Sequence, residues 1–301
     1  MDHRAVLRRL DRAERGVLLA RSDRAGLVRL LAHLGLLGTT GTGIALAPPF
    51  LLLPAMLVHG IGLAFLFAPL HETIHHTAFE TRRLNVLVAN ACGFLLLLPP
   101  RYFHAFHMAH HRHTQDPARD PELASPRPET LKDYLFHLTG LPYWLAEIRV
   151  LLHAAGGGAR YPFVEPAAWP GVVREARRFL IGYALVAALA IAAGSTAPLA
   201  YWVVPALLGQ PFLRACLLAE HAACPFGPDM LKNTRTTLAG SAVRFLTWNM
   251  GFHAEHHAMP GVPFHRLPDL HRHLAPHLER TADGYPDAHR EILREGVLRA
   301  G

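Results

Sequence analysis

The chain contains 22 histidines, and many of them fall in three short clusters. The first reads His-Glu-Thr-Ile-His over 71–75, the second His-Met-Ala-His-His over 107–111, and the third His-Ala-Glu-His-His over 253–257. On an α-helix, positions i, i+3 and i+4 share one face, so the HxxHH spacing is expected to aim three imidazoles at one point. Imidazole nitrogen is a common ligand of transition metals. The clusters therefore indicate a metal centre assembled from distant parts of the chain.

The number of converging imidazoles bears on the type of metal. A zinc site is filled by about four ligands in tetrahedral geometry, and the three clusters supply more histidines than one such ion can take. Two ions of higher coordination number are therefore expected. Imidazole binds iron, copper, nickel and zinc, so the ligand type alone does not identify the element. A nitrogen-ligated site beside apolar helices favours redox-active iron, because side chains cannot themselves activate dioxygen.

Polar residues that are not histidine accompany the clusters. Glu72 and Glu255 lie inside the first and third clusters, and Glu220 stands at the end of an apolar run. A carboxylate that accepts the distal imidazole N–H of a ligand fixes its tautomer and offsets the charge of the metal; simple solvation of these carboxylates is the alternative. Asn249, shortly before the third cluster, is a candidate for holding a water near one ion. We expect these four residues to support the centre and no catalytic residue beyond the metal ligands.

Apolar segments surround the clusters in this chain of 301 residues, 51% of which are hydrophobic. Four runs approach the ~20 residues that a helix needs to cross a bilayer, at 26–47, 50–70, 179–193 and 198–219. The first run contains Arg29 and His33, and a buried soluble helix pair is the alternative there. A fifth run, 84–98, is shorter and is closed by two prolines. We expect the fifth run to lie along the membrane.

These runs predict a single all-α integral membrane domain with four transmembrane helices in two hairpins. The connections at 47–50 and 194–198 carry no charge, so every Lys and Arg between the spans lies on one face, as the positive-inside bias demands. Both termini are then cytoplasmic, together with a helical cap that carries the histidine clusters. The expected segments are a basic interfacial segment (1–25), the first hairpin (26–70), a cytosolic and interfacial segment (71–177), the second hairpin (178–219) and a second cytosolic segment (220–301).

Charge and cysteine content exclude other classes of function. Arginines facing anionic lipid headgroups explain the net charge of +7, and no nucleic-acid site is expected. Cys92, Cys216 and Cys224 form no CxxC pair, and the chain has no GxGxxG nucleotide motif. Electrons would therefore come from an external ferredoxin-like, rubredoxin-like or cytochrome partner. Arginine greatly outnumbers lysine, which is typical of a bacterial source and hence suggests the bacterial inner membrane.

The order HxxxH, HxxHH and HxxHH, interleaved with two apolar hairpins, resembles the membrane fatty-acid desaturase superfamily. The stretch 249–263, Asn-Met-Gly-Phe-His-Ala-Glu-His-His-Ala-Met-Pro-Gly-Val-Pro, is similar to the third box of its sphingolipid-desaturase and carotenoid-oxygenase branches. The resemblance covers roughly 50–271. It implies a four-helix membrane stem, a cytosolic cap and two irons held by about nine histidines.

The resemblance also implies which histidines are ligands, and it adds His221, just beyond the last span, to the three boxes. The implied ligands are His71, His75, His107, His110, His111, His221, His253, His256 and His257. Other histidines near the boxes are expected to be supporting or surface groups, namely His76, His104 and His113, and a solvated C-terminal set, namely His265, His271, His273 and His277.

The family resemblance implies dioxygen-dependent oxidation of an unactivated C–H bond in a lipid. Desaturation of a fatty acyl or related chain is favoured because it predominates in the family. Hydroxylation or ketolation of a carotenoid or lipid is the alternative, since the same ligands serve both reactions. A histidine-rich membrane protein that binds or transports metal is an alternative from another class. Against it, no pathway of ionisable groups crosses the apolar runs.

Overall fold

The computed structural model of the chain describes residues 2–125 and 127–297. Over these residues the protein is mainly α-helical, in agreement with the predicted class. The helices are, in chain order, α1 (His3–Arg8), α2 (Arg12–Leu18), α3 (Asp23–Leu46), α4 (Pro49–Ala64), α5 (Phe67–Ile74), α6 (Arg82–Leu95), α7 (Pro100–His113), α8 (Leu131–Leu138), α9 (Leu141–Ala155), α10 (Trp169–Ala192), α11 (Val204–His221), α12 (Met230–Asn233), α13 (Ser241–Leu246), α14 (His253–Ala258), α15 (Leu267–Leu274) and α16 (Tyr285–Ile292).

Shorter elements join these helices. Single turns of 3-10 or π-helix occur at Pro121–Ala124, Leu199–Val203, Ala275–His277 and Leu293–Val297. In the described part of the chain, the only sheet consists of β1 (Thr236–Thr237) and β2 (Thr281–Ala282), which pair in parallel with Thr236 opposite Thr281. This short pair ties the segment that precedes α13 to the segment that precedes α16.

Within the described residues, three helical stretches are long and apolar enough to cross a membrane, namely Arg12–Leu46, Pro49–Ile74 and Leu199–His221. They include the predicted run 50–70 and all but one residue each of the predicted runs 26–47 and 198–219. The fourth predicted run, 179–193, lies almost wholly in α10, which has 24 residues. Charged side chains between 174 and 178 shorten the apolar part of α10 below a full crossing, which is why composition does not single it out as a span.

The fifth apolar run forms α6, and the chain bends by 99° between α6 and α7. The bend falls at Pro99 and Pro100, since proline cannot donate the backbone hydrogen bond that would continue a helix. At 14 residues, α6 is about 21 Å long and too short to cross a bilayer alone. The bent pair is either one broken crossing or a re-entrant segment.

The outer faces of the long helices are apolar. Ile191 at the end of α10 is 81% exposed, and Phe50 at the start of α4 is 78% exposed. Other large apolar side chains on α3, α4, α10 and α11 are also exposed. Exposed apolar side chains in this number are unfavourable in water and are the surface that a bilayer solvates. The fold is therefore that of a membrane protein.

The helices α4 and α11 cross at direct backbone contact. A Cβ atom added to Gly60 would lie 1.9 Å from the carbonyl oxygen of Pro205, and one added to Gly209 would lie 1.9 Å from that of Gly60. Only glycine permits helices to approach this closely. The crossing fixes α5, which follows α4, relative to the carboxyl end of α11.

Candidate metal centre

Five imidazoles converge on one point from three helical segments. His71 and His75 lie in α5 and at its end, His107 and His111 in α7, and His256 in α14, and one nitrogen from each lies within 4.8 Å of the others. The Nε2 atom of His107 is 2.7 Å from Nε2 of His71 and 2.9 Å from Nε2 of His111. The Nε2 atom of His256 is 3.1 Å from Nε2 of His111.

A second group of imidazoles adjoins the first. His110, His221 and His257 bring one nitrogen each within 4.8 Å of the others. The Nε2 atom of His221 lies 3.2 Å from Nε2 of His110 and also 3.2 Å from Nε2 of His253. Thus His253 borders this group, and all the histidines that the family resemblance assigns lie in one of the two groups or beside it.

The two HxxHH boxes are each divided between the groups, so the expectation that one box aims three imidazoles at one point is wrong. In α7, His107 and His111 belong to the first group and His110 to the second; in α14, His256 belongs to the first group and His257 to the second. Successive residues of an α-helix are rotated by about 100°, so residues i+3 and i+4 lie on opposite sides of residue i. A box therefore spans an arc wide enough to face two sites.

The imidazole nitrogens fit metal ions. Two nitrogens that each lie about 2.0–2.1 Å from one ion, in adjacent coordination positions, are separated by about 3 Å, which is the separation of the Nε2 pairs above. The Nε2 atoms of His75 and His257 are buried and have no hydrogen-bond partner among the described residues. Burial lowers the pKa of His253, His256 and His257 well below its usual range. These rings are therefore neutral near pH 7, the form that binds a metal.

Polar groups hold the distal nitrogens of the second group. Nδ1 of His110 lies 3.0 and 3.1 Å from the two carboxylate oxygens of Asp120. Nδ1 of His257 lies 3.1 Å from Oγ1 of Thr114, and Nδ1 of His221 lies 3.3 Å from the carbonyl oxygen of Asn233. Such contacts select the tautomer that presents Nε2 to a metal.

Asp120 is a residue that the sequence reasoning missed. It is buried, and its carboxylate also accepts hydrogen bonds from the backbone N–H groups of Gln115 and Glu122. These bonds fold the loop after α7 back onto His110. The Asp-Pro pair at 120–121, soon after the second box, is the sequence signal that could have drawn attention to it, because aspartate before proline favours a turn.

The first group is surrounded by packed side chains and not by hydrogen-bonding partners. The Nδ1 atoms of His71, His111 and His256 are buried without a hydrogen-bond partner in the described part of the chain. Aromatic rings of Phe67 and Phe103 pack at 6.2 Å and 5.4 Å from the rings of His71 and His107, respectively, measured between centroids. The first group therefore lies against the apolar core.

The contacts of the three glutamates differ from the expected contacts with distal imidazole nitrogens. Glu72 accepts hydrogen bonds from Oγ1 of Thr77 at 2.8 Å and from the backbone N–H of Phe264 at 3.1 Å. Glu255 accepts one from Oγ1 of Thr236 at 2.7 Å. Neither contacts a distal imidazole nitrogen of the two groups. Glu72 and Glu255 each stand next to a candidate ligand in the helix. Because successive residues of an α-helix are rotated by about 100°, each glutamate side chain points away from the neighbouring ligand side chain.

Glu220 is the exception among the glutamates. Its Oε2 atom lies 3.3 Å from Nε2 of His253, the nitrogen that faces the second group. The carboxylate is therefore on the inner side of the imidazole, not on the distal side where it was expected. A small cavity of about 20 Å³ adjoins Glu220 and His71 and is lined by Phe65, Leu213 and other mostly apolar residues.

The remaining predicted residues lie outside the two groups. The side chain of Asn249 donates to the carbonyl oxygen of Phe264 at 3.0 Å and accepts from Nε of Arg244 at 3.3 Å, so it braces the turn before α14. His104 contacts the carbonyl oxygen of Ile74 at 2.9 Å. His271, expected to be solvated, instead pairs with buried Glu255 and is 22% exposed.

Comparison with known proteins identifies similar sequences. Residues 44–288 match the family model described as fatty acid desaturase. The chain is 25% identical over 250 residues to the sn-1 oleoyl-lipid 12-desaturase of a Picosynechococcus species, a match that covers 74% of this chain and 69% of that protein. It is 27% identical over 219 residues to the sphingolipid delta(4)-desaturase of Drosophila melanogaster, covering 69% of this chain and 61% of that protein. The family match includes every histidine of both groups.

Proposed function

Because the chain belongs to the fatty acid desaturase family and is thus a membrane oxidoreductase of the desaturase type, we propose that it uses dioxygen at a pair of irons to introduce a double bond into a fatty acyl or related lipid chain. The observation that carries this proposal is the pair of adjoining histidine groups. The proposed ligands are His71, His75, His107, His111 and His256 for one ion, and His110, His221, His253 and His257 for the other.

Two iron ions held by these residues would supply the activation of dioxygen that amino-acid side chains cannot supply. The protein's own residues contribute position and environment. Asp120 orients His110, and burial keeps His256 neutral by lowering its pKa well below the usual range. Apolar side chains, among them Phe65 and Leu213, line a small pocket of about 20 Å³ beside His71, which gives room for a water-sized molecule next to the centre.

The polar residues around the ligands are part of this proposal. Glu220, which touches His253, would offset the charge of the second ion. Glu72, Glu255 and Asn249 support the backbone turns that carry the ligands, since each bonds to residues beside the centre. No catalytic residue beyond the iron ligands is proposed.

We also propose the membrane arrangement. The hairpins 26–70 and 178–219 form the stem of a single domain, 1–301, with segment 1–25 at the interface and segments 71–177 and 220–301 in a cytosolic cap. The convergence of α7 and α14 with the end of α11 supports the placement of both histidine-bearing segments on one side. Both termini are then cytoplasmic, in a bacterial inner membrane. Residues 1, 126 and 298–301 lie outside the described residues.

An external protein of the ferredoxin, rubredoxin or cytochrome type would supply electrons. Hydroxylation or ketolation of a carotenoid or lipid remains the second candidate reaction, because the same ligands serve it. Membership of the desaturase family argues against a histidine-rich metal carrier.

Product analysis tests the proposed reaction. The chain is expressed with a reductase and a ferredoxin in a host supplied with candidate lipids, and the extracted lipids are compared by mass spectrometry. Desaturation gives products that lack a pair of hydrogens, whereas hydroxylation or ketolation gives products that carry an added oxygen. A His111→Ala variant is expected to give neither, and the variant His153→Ala, altered at an exposed histidine of α9, is expected to match the wild type. Unchanged lipids with an iron-loaded, reduced wild-type protein would refute the proposal.

A further inference from the structure

A second set of polar side chains is buried between α9 and α11, outside the metal centre. Gln210 is fully buried, and neither its amide nitrogen nor its amide oxygen has a hydrogen-bond partner among the described residues. The same is true of Nε1 of Trp144, Oε2 of Glu147, and Nε and Nη2 of Arg214. Leaving a buried polar group unpaired costs about 1–3 kcal/mol. Four such side chains together indicate a bound partner.

The four side chains face one another across the two helices. The guanidinium carbon of Arg214 lies 4.3 Å from the ring centre of Tyr143, and Glu147 follows Tyr143 by one turn on the same face of α9. Gln210 packs against Gly140, where an added Cβ atom would lie 2.4 Å from Cγ of Gln210. Gly140 has a φ of 73°, so glycine is needed there both for the backbone and for the space.

An apolar cavity of about 660 Å³ lies beside this cluster, between α9, α10 and α11. Trp144 lines the cavity and belongs to the cluster, and Gln210 follows the lining residue Ala206 by one turn of α11. The volume lies within the range of small-molecule sites, about 300–1,000 Å³. From Arg214, α11 continues for seven residues, about 10 Å, to His221 of the metal centre. One stretch of α11 therefore connects the cavity, the polar cluster and the centre.

We propose that this cluster binds the hydroxyl group of a lipid whose hydrocarbon chain occupies the adjacent cavity. A hydroxyl donates one hydrogen bond and accepts two, so it can donate to the carboxylate of Glu147 and accept from two of the N–H groups of Gln210, Arg214 and Trp144. Glu147 and Arg214 interact electrostatically and offset each other's charge, so the cluster gives a carboxylate or phosphate little net attraction. A plain hydrocarbon would leave every group unpaired. This inference goes beyond the proposed function: because the cavity and the cluster both lie toward the amino end of α11 from His221, it assigns a lipid site separate from the metal centre.

Binding of two probes that differ by one hydroxyl tests the inference. Tritiated 1-hexadecanol and tritiated hexadecane are titrated against the full-length protein in detergent micelles, by scintillation proximity. The variants are Gln210→Leu and Trp144→Phe, with Asn90→Leu on α6 as the matched control for removal of an amide. Each cluster variant is expected to weaken hexadecanol binding by about five- to tenfold, the effect of losing one hydrogen bond, and to leave hexadecane binding unchanged. Asn90→Leu should change neither.

The thermal stability of the variants separates recognition from a structural role. Since Gln210 makes no hydrogen bond with the described residues, its replacement by leucine should leave the melting temperature unchanged or raise it. If hexadecanol binds the variants as tightly as the wild type, the cluster holds only water and the inference is overturned. If the variants bound hexadecanol and hexadecane more weakly by the same factor, the inference would also be overturned, because the substitutions would then have damaged the cavity. The assay needs neither iron nor turnover, so its failure is distinct from a failure of the proposed reaction.

Discussion

The Nε2 atoms of His110 and His221 lie 3.2 Å apart, although 111 positions separate the two residues in the chain. His110 stands on α7 and His221 on the last turn of α11. Their approach depends on the crossing of α4 and α11 at Gly60 and Gly209. This crossing fixes the position of α11 relative to the rest of the centre. The metal centre is therefore a product of long-range helix packing as much as of the histidine boxes.

Replacing Asp120 by asparagine should weaken the second ion site. The substitution removes the charge that holds Nδ1 of His110, and loss of such an outer partner typically costs about 10–100-fold in metal affinity. Competition with a chromophoric chelator measures this affinity. Asp116→Asn is the control, because Asp116 lies in the same loop and its side chain pairs, among the described residues, with Arg119 and the loop backbone alone. Equal metal affinity in the Asp120 variant and the wild type would refute the role assigned to Asp120.

Replacing His111 by alanine should reduce bound iron to about one ion per chain or less. The Nε2 atom of His111 lies within hydrogen-bonding distance of the Nε2 atoms of both His107 and His256, so the substitution removes one ligand nitrogen from the middle of the first group. Elemental analysis of the purified protein measures the loss. The control variant is His153→Ala, altered at an exposed histidine, and it should retain the wild-type iron content. Full iron occupancy in the His111 variant would exclude His111 as a ligand.

Glu220, which contacts the third box, and Glu255, which lies within it, should respond differently to conversion to glutamine. Glu220 touches Nε2 of His253, so Glu220→Gln should lower the iron content. Glu255 instead bonds to Thr236 and His271, and its conversion should mainly lower stability, by about 1–3 kcal/mol for a buried charged hydrogen bond. Iron analysis and thermal unfolding of both variants separate the effects. The reverse pattern would contradict the contacts described for both residues.

The variant Gly209→Ala should unfold at a lower temperature and lose iron. Its Cβ atom would fall 1.9 Å from the carbonyl oxygen of Gly60, so α4 and α11 must move apart, at a cost of at least about 2 kcal/mol. Gly38→Ala on α3 is the matched control, since an added Cβ there has no atom within 4 Å. A Gly209 variant as stable as the Gly38 variant would show that the helix crossing is not essential.

Sequence periodicity predicted part of this centre. The spacing of His107, His110 and His111 indicated a shared helical face, and the predicted break between two apolar helices near residue 47 is present, since α3 ends at Leu46 and α4 begins at Pro49. The division of each box between two sites was not predicted, because it depends on how α7 and α14 cross. His221 was identified only through the family resemblance.

Other features could not be predicted because no local pattern encodes them. Asp120 reaches His110 through an irregular loop, outside any helical repeat. The apolar composition of 178–219 indicated a hairpin but not the cavity that lies between α10 and α11. The contacts of Glu72 and Glu255 with Thr77 and Thr236 likewise depend on tertiary packing.

The most direct test of the central claim is the metal content of the wild-type protein, measured by elemental analysis together with Mössbauer spectroscopy. The protein is purified in detergent from cells grown with enriched iron. The two histidine groups predict about two iron ions per chain, both in nitrogen-rich environments. A single ion per chain, or zinc in place of iron, would contradict the account.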